Sequence, residues 1–261
     1  LVKNQVENPS VPKMISGTVT VWVDKGIKIE KGLGYSDISI GSGFFIDSRG
    51  YLITNYDVIS SQVDPEYEGI SRLYIKFSND TETRIPAKVV GYDESLDLAL
   101  LKTEVPPQYV FSLGSSSSLD IGDKIYAIGS PVGLERTLTS GIVSAEGRQL
   151  FSIGTVMQID AAVNNGNSGG PIIDENGNVQ AIVFAGMLQY QGLNFAIPVE
   201  YLWQILPLMY KGDEVYHSWI GAYGHTKRKG KEKVGLEVQY ILPGGVAHRA
   251  GLKENDEIIS V

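Results

Sequence analysis

Short apolar runs broken by turn residues recur along the chain, and almost none of them has helical spacing. Thr18–Val23 alternates and reads as a strand, and Gly43–Ile46 and Tyr51–Thr54 flank an Asp-Ser-Arg-Gly turn as a hairpin. Leu73–Phe77, Ala87–Val90 and Leu98–Leu101 follow. Residues 24–40, rich in glycine and charge, read as a loop, and residues 1–16, with their prolines, as an extended arm. Pro106-Pro107 marks a joint. Beyond it come Lys124–Ile128, Thr137–Val143, Val156–Ile159, Pro171–Ile173, Val179–Phe184 and Asn194–Ile197. Two successive groups of about six strands predict two β-barrels, spanning residues 17–107 and 108–210. Leu202, Ile205, Leu206 and Met209 have helical spacing, so Glu200–Tyr210 reads as a helix closing the second barrel, broken late by Pro207. The character changes again over residues 211–261. There a basic run, Thr226–Lys233, reads as a solvated loop, followed by Val234–Ile241, a short helix between Pro-Gly-Gly and Gly-Leu, and a final strand.

Composition supports an all-β globular protein. Of 261 residues, 43% are hydrophobic and 20% charged, and the 30 glycines suit tight turns. With no cysteine there are no disulfides, thiolate metal sites or cysteine nucleophiles. A net charge of −8 argues against nucleic acid as a partner. No apolar run reaches the roughly 20 residues that span a bilayer. The chain begins at Leu1 without a basic-then-apolar signal segment and reads as a processed form.

The chemistry gathers in three segments: Thr54-Asn-Tyr-Asp57-Val58, Leu96-Asp97-Leu98-Ala99 and Gly166-Asn167-Ser168-Gly169-Gly170-Pro171. The last suits a nucleophile loop. Ser168 would sit on a tight turn, the N–H groups of Gly166, Asn167 and Ser168 would form an oxyanion hole, and Gly169 and Gly170 would leave room for a substrate backbone. Together with Ala127–Leu134, Thr139–Ser144, Asp160–Asn165 and Asn194–Pro198, these segments closely resemble the HtrA family: trypsin-like serine endopeptidases with a C-terminal PDZ domain. The resemblance runs in order over about residues 17–205 and more weakly to residue 261.

The resemblance implies a trypsin-like double six-stranded barrel followed by a partial PDZ domain over 211–261. It also implies a triad in the order His, Asp, Ser, which here falls on Asp57, Asp97 and Ser168. Position 57 departs from the family motif Thr-Asn-X-His-Val, and the first histidine of the chain is His217. A triad aspartate orients and stabilises an imidazolium, and Asp97 has none to serve. Asp57 is short for the proton-transfer distance of roughly 2.6–3.2 Å, and its reference pKa of about 3.9 makes it a poor base. Two neighbouring carboxylates should raise one another's pKa. Three rescues can be named: a histidine supplied by the substrate, a cation between the two carboxylates, or His217, His225 or His248 swinging in. The carboxylate pair alone lacks the ligands for a metal, and no cofactor is expected.

Ala162, six positions before Ser168, would floor a small uncharged pocket for apolar side chains, walled by Ala185, Gly186 and Asn194, with Gln189, Tyr190 and Gln191 nearby. Trp219, Ile220, Gly221 and Ala222 fall where a PDZ domain captures a peptide C-terminus. The expectation is a pseudoprotease that binds unfolded or C-terminal peptides in envelope protein quality control. The alternative is an active endopeptidase that cuts after small apolar residues with an unusual or substrate-supplied base. An envelope or periplasmic location, a homotrimer, and membrane proximity through a preceding N-terminal segment follow from the resemblance alone.

Overall fold

The computed structural model describes residues 10–129, 137–149, 154–164, 166–186, 193–230 and 232–260. They form two compact units, one ending at Val215 and one beginning at Tyr216.

The first unit opens with helix α1 (Val11–Ser16), inside the segment read as an extended arm. Its Pro12 sits where a missing N–H costs nothing. Six strands then close a barrel: β1 (Thr18–Glu30), β2 (Leu33–Phe45), β3 (Tyr51–Thr54), β4 (Arg72–Phe77), β5 (Asp80–Asp93) and β6 (Leu98–Thr103). Their order is β5-β4-β1-β2-β3-β6, and β6 returns to pair with β5. Between β3 and β4 lies the one-turn helix α2 (Tyr56–Ile59). A second closed barrel comprises β7 (Lys124–Gly129), β8 (Thr137–Gln149), β9 (Thr155–Ile159), β10 (Pro171–Ile173), β11 (Val179–Gly186) and β12 (Asn194–Pro198). The 11-residue helix α3 (Val199–Met209) follows, then β13 (Asp213–Glu214), which pairs in parallel with β5 of the first barrel.

Consecutive side chains on one strand serve two cores. Phe45, Leu52, Ala99 and Leu101 fill the first barrel with Val19, Val21, Val23 and Ile75. Their neighbours Phe44, Ile53, Leu98 and Leu100 point the other way, into a core shared with Ile128, Ile173, Ile182 and Ile197 of the second barrel and with Leu202, Ile205 and Met209 of α3. Both faces are therefore dry, which is why these strands read as continuous apolar runs. Each such side chain contributes on the order of 1.5–3 kcal/mol by leaving water. This shared layer fixes the loops of one barrel against those of the other.

Three readings of the sequence change. Residues 24–40 are not a loop: β1 and β2 run through them as a two-stranded ribbon to a turn at Lys31-Gly32. Its apolar residues are interleaved with lysine, glutamate and glycine around the turn, so the segment read as a loop rather than as strands. Pro207 does not break α3, which continues to Met209. In the last turn the absent N–H leaves a single carbonyl unpaired, and Tyr210 N–H still reaches Leu206 O at 3.0 Å. Of the basic run read as a loop, Thr226–Lys229 lie on one strand and Glu232 and Lys233 on the next.

In the second unit β14 (Ala222–Lys229) and β15 (Glu232–Ile241) form a hairpin, followed by helix α4 (Val246–Arg249) and β16 (Glu257–Ile258), which pairs with β15. Val238, Ile241 and Ala247 make a small core. Lys227 bonds Glu257 at 2.7 Å and Glu237 at 3.2 Å across the sheet.

Candidate active site

Asp57, Asp97 and Ser168 arrive from three loops that the shared core holds together. Asp57 lies in the single turn of α2, just after β3. Its backbone N–H donates to Asp97 Oδ1 at 2.8 Å. Asp97 ends the turn before β6 in a left-handed conformation, φ 52°, which aspartate tolerates better than most residues. It is buried, 8% exposed. Asn55, fully buried, fastens this turn by donating Nδ2–H to Asp97 O at 2.8 Å. The two acids are thus drawn together by backbone geometry, not by attraction between their side chains.

Burial, and secondly the charge of Asp57, push Asp97 up to about 8, against a pull downward from the N–H groups of Asp57 and Tyr56. Asp57 is also raised, by lost hydration, with the Val58 N–H opposing. More than a third of its surface meets solvent, yet the protein packed on its other sides strips enough water to matter, so its rise is the smaller effect. The pair therefore holds a proton at neutral pH.

Ser168 sits in the turn between β9 and β10, partly exposed. Its Oγ–H donates to Phe184 O at a long 3.4 Å. A carbonyl oxygen accepts that hydrogen bond but cannot carry the proton away. The loop around Ser168 is tied to β2: Ser42 N–H donates to Ser168 O at 2.8 Å, and Ser42 Oγ–H to Gly166 O at 2.6 Å. Ser42 O in turn accepts from Thr54 Oγ1 at 2.7 Å. Gly166 and Gly169 have φ of 99° and 83°. A side chain at Gly169 would also stand 2.3 Å from Ser42 O, so the turn requires glycine there twice over.

Among the described residues no acceptor takes the N–H of Gly166 or of Ser168. Asn167 differs. Its N–H donates to Asn164 O at 3.0 Å, and its side chain is buried beside Gly129. It shapes the turn and offers no donor outward. Ser42→Ala should cost about 1–2 kcal/mol in a denaturant titration, the usual toll for orphaning a buried carbonyl, and should weaken peptide binding.

Ala162 is exposed, and its carbonyl accepts from Thr139 Oγ1 at 2.8 Å. Asn194 Nδ2 donates to Ala161 O at 2.8 Å and fixes the same segment. Ala185 and Gly186 lie opposite Phe195 and Asn194 on β11 and β12. Gln189, Tyr190 and Gln191, and residues 130–134 of the Ala127–Leu134 motif, fall outside the described residues. In the second unit Trp219 and Ile220 are exposed, Gly221 has φ 80°, and Ala222 starts β14. His225 and His248 also belong to that unit.

Ser42, Thr54 and Asn55 were missed as site residues. A signal for Ser42 existed, because glycines on both sides inside a strand mark close approach of another backbone. Asn55 gave none. It stands where a helix cap is expected but caps nothing, and spends its side chain on Asp97.

Residues 41–182 match the family model described as "Trypsin-like peptidase domain". A probable periplasmic serine endoprotease DegP-like from Hahella chejuensis is 34% identical over 234 residues, covering 85% of this chain and 48% of the relative. A protein of the same description from Bartonella henselae is 39% identical over 240 residues, covering 86% and 45%. The chain thus spans about half the length of these relatives. Among solved structures, the HtrA-type protease AlgW with a tripeptide superposes with a TM-score of 0.72 at 27% identity, covering 95% of this chain and 82% of that one. Deg5 gives 0.62 at 32%, covering 77% and 93%.

Proposed function

The chain belongs to the trypsin-like peptidase family as an HtrA member, and from that premise we propose that it is a pseudoprotease, a peptide-binding scaffold whose hydrolytic step has lost its base. The observation that carries this reading is that the residue beside Asp97 at the base position is a second acid, Asp57, whose own N–H lies 2.8 Å from Asp97 Oδ1. In a working triad that aspartate receives an imidazole N–H and steadies the charge formed on the ring. Here the residue at the base position is a second acid, which offers Asp97 no ring N–H to receive. No histidine occurs before His217. Removing the base from a serine-protease triad costs roughly 10⁶-fold in turnover, about 8 kcal/mol of barrier.

The binding half is kept. The tie of Ser42 to both sides of the nucleophile, the unclaimed N–H groups of Gly166 and Ser168 and the small Ala162 all suit a peptide with an apolar side chain. AlgW, a protein of the same fold, has been solved with a tripeptide and a decapeptide. The names of the DegP-like relatives support a periplasmic or envelope location. The second unit, from Tyr216 rather than from residue 211, reads as PDZ-like; in it Trp219–Ala222 would receive a peptide carboxylate, and a homotrimer is the assembly the family reading favours.

A second reading has one observation in its favour. A raised carboxylate is a stronger base than a free one, and Asp57 is raised. The two readings separate in one experiment. Unfolded casein and short apolar peptides should bind the wild type and Ser168→Ala with equal affinity, with no new peptide termini detected by mass spectrometry after a day at neutral pH. Cleavage that vanishes in Ser168→Ala would falsify the pseudoprotease reading.

A further inference from the structure

The ribbon formed by the far ends of β1 and β2 carries large apolar side chains that the rest of the first unit does not cover. Ile27 is 76% exposed, Ile29 75%, Leu33 61% and Tyr35 53%. β1 pairs with β4 only from Val19 to Asp24, so residues 27–36 bond only to one another across the ribbon. Directly opposed residues share a face. Ile27 opposes Ser36 and Ile29 opposes Gly34, which puts both isoleucines on one face. Tyr35 opposes Lys28 and Leu33 opposes Glu30, on the other. The tip is therefore apolar on both sides. A groove on a partner protein would dry one face and leave the other wet. A boundary layer that surrounds the tip dries both.

The charges point the same way. The whole chain carries −8, whereas the tip carries Lys28, Glu30 and Lys31, a small local excess of positive charge. Lys28, 62% exposed, is paired with Glu30 at 2.7 Å, which leaves Lys31 in the turn itself, φ 51°, as the source of that excess. Lysine and tyrosine flanking aliphatic residues are the side chains that settle at the headgroup level of a bilayer. The open edges of the ribbon set the depth. Unpaired N–H and C=O groups cannot enter hydrocarbon, so only the side chains of the tip reach the acyl boundary while the backbone stays among headgroups and water. Among the described residues no helix is long and apolar enough to cross a membrane.

The geometry points to the β1–β2 ribbon tip as a shallow anchor on an anionic phospholipid surface, with Ile27, Ile29 and Leu33 dipping in and Lys28 and Lys31 meeting the phosphates. None of these side chains belongs to the site of Asp57, Asp97 and Ser168, and the inference stands whatever the catalytic state. The test floats the full 261-residue chain on vesicles of phosphatidylcholine with about one-third phosphatidylglycerol. The wild type should rise with the vesicles. Ile27→Ser/Ile29→Ser/Leu33→Ser should partition at least about tenfold less, with its thermal unfolding unchanged. A Tyr35→Trp variant, which needs no loss of binding to be read, should show a blue-shifted emission quenched by brominated lipid. A wild type that stays at the bottom of the gradient overturns the inference, as does a triple variant that floats equally well. A triple variant that only changes the oligomeric state in lipid-free solution, while the wild type ignores vesicles, overturns it in favour of a contact between copies of this chain.

Discussion

Asp57→His should raise casein cleavage by roughly 10³-fold or more over the wild type, with the gain abolished in Asp57→His/Ser168→Ala. Everything but the imidazole is already in place. Asp97 is held by Asn55 through its carbonyl and by the Asp57 N–H through its carboxylate. Neither contact uses the side chain at position 57, so both survive the exchange. Ser168 stays on a turn pinned by Ser42 and by two left-handed glycines. An imidazole at position 57 would give Asp97 a cation to stabilise and give Ser168 Oγ an acceptor better than the Phe184 carbonyl. The full loss of about 10⁶-fold need not return, because a loop that has not been selected for turnover can sit an ångström from its best geometry. Asp57→Ala is the control. It removes the second acid without supplying a base and should gain nothing. A folded Asp57→His variant that binds peptide normally and still shows no Ser168-dependent cleavage would place the defect beyond position 57, in the oxyanion loop itself.

The ease of that repair reflects how the site was written into the sequence. The nucleophile turn was legible because Gly166, Gly169 and Gly170 have no other good reason to crowd one serine. The barrels were legible because strands such as Leu98–Leu101 are dry on both faces and read as unbroken apolar runs. What escaped detection had no burial to announce it, or bonds that sequence spacing cannot show. The far end of the ribbon over residues 24–40 is exposed, and charge and glycine stand between its apolar residues, so its strands read as a loop. The role of Ser42 depends on a segment more than a hundred positions away, and that of Asn55 on a turn some forty positions on. Such partners become neighbours only once the two barrels pack. The repulsion between Asp57 and Asp97 was legible in kind, but not which acid would bear it. The structure gives the larger burden to Asp97, because its carboxylate lies deeper and must give up more water.

That burden should be measurable as a pH-dependent loss of stability. The folded state keeps a proton on Asp97 up to about pH 8, whereas the unfolded chain releases it near 3.9. Between those values the native state binds more protons than the unfolded one, so stability falls as pH rises and levels off above about 8. The sign is opposite to that of an ordinary salt-bridged aspartate, which loses stability as pH falls. One pKa unit corresponds to about 1.4 kcal/mol, and since the partly exposed Asp57 shares the load, a loss on the order of 2–3 kcal/mol between pH 5 and pH 8.5 is expected in denaturant titrations at constant salt. Asp57→Asn removes the like charge but not the burial. It should leave the fall in place while shrinking it by at least about a third. Asp97→Asn should remove it almost entirely, since an amide has no proton to retain. The comparison between variants isolates the pair from the other titrating groups, which all three proteins share. Identical pH slopes in the wild type and Asp57→Asn would mean that the two acids do not sense each other. In that case Asp97 would be raised by burial alone, and position 57 would be a plain vacancy in the triad rather than a charge set against it.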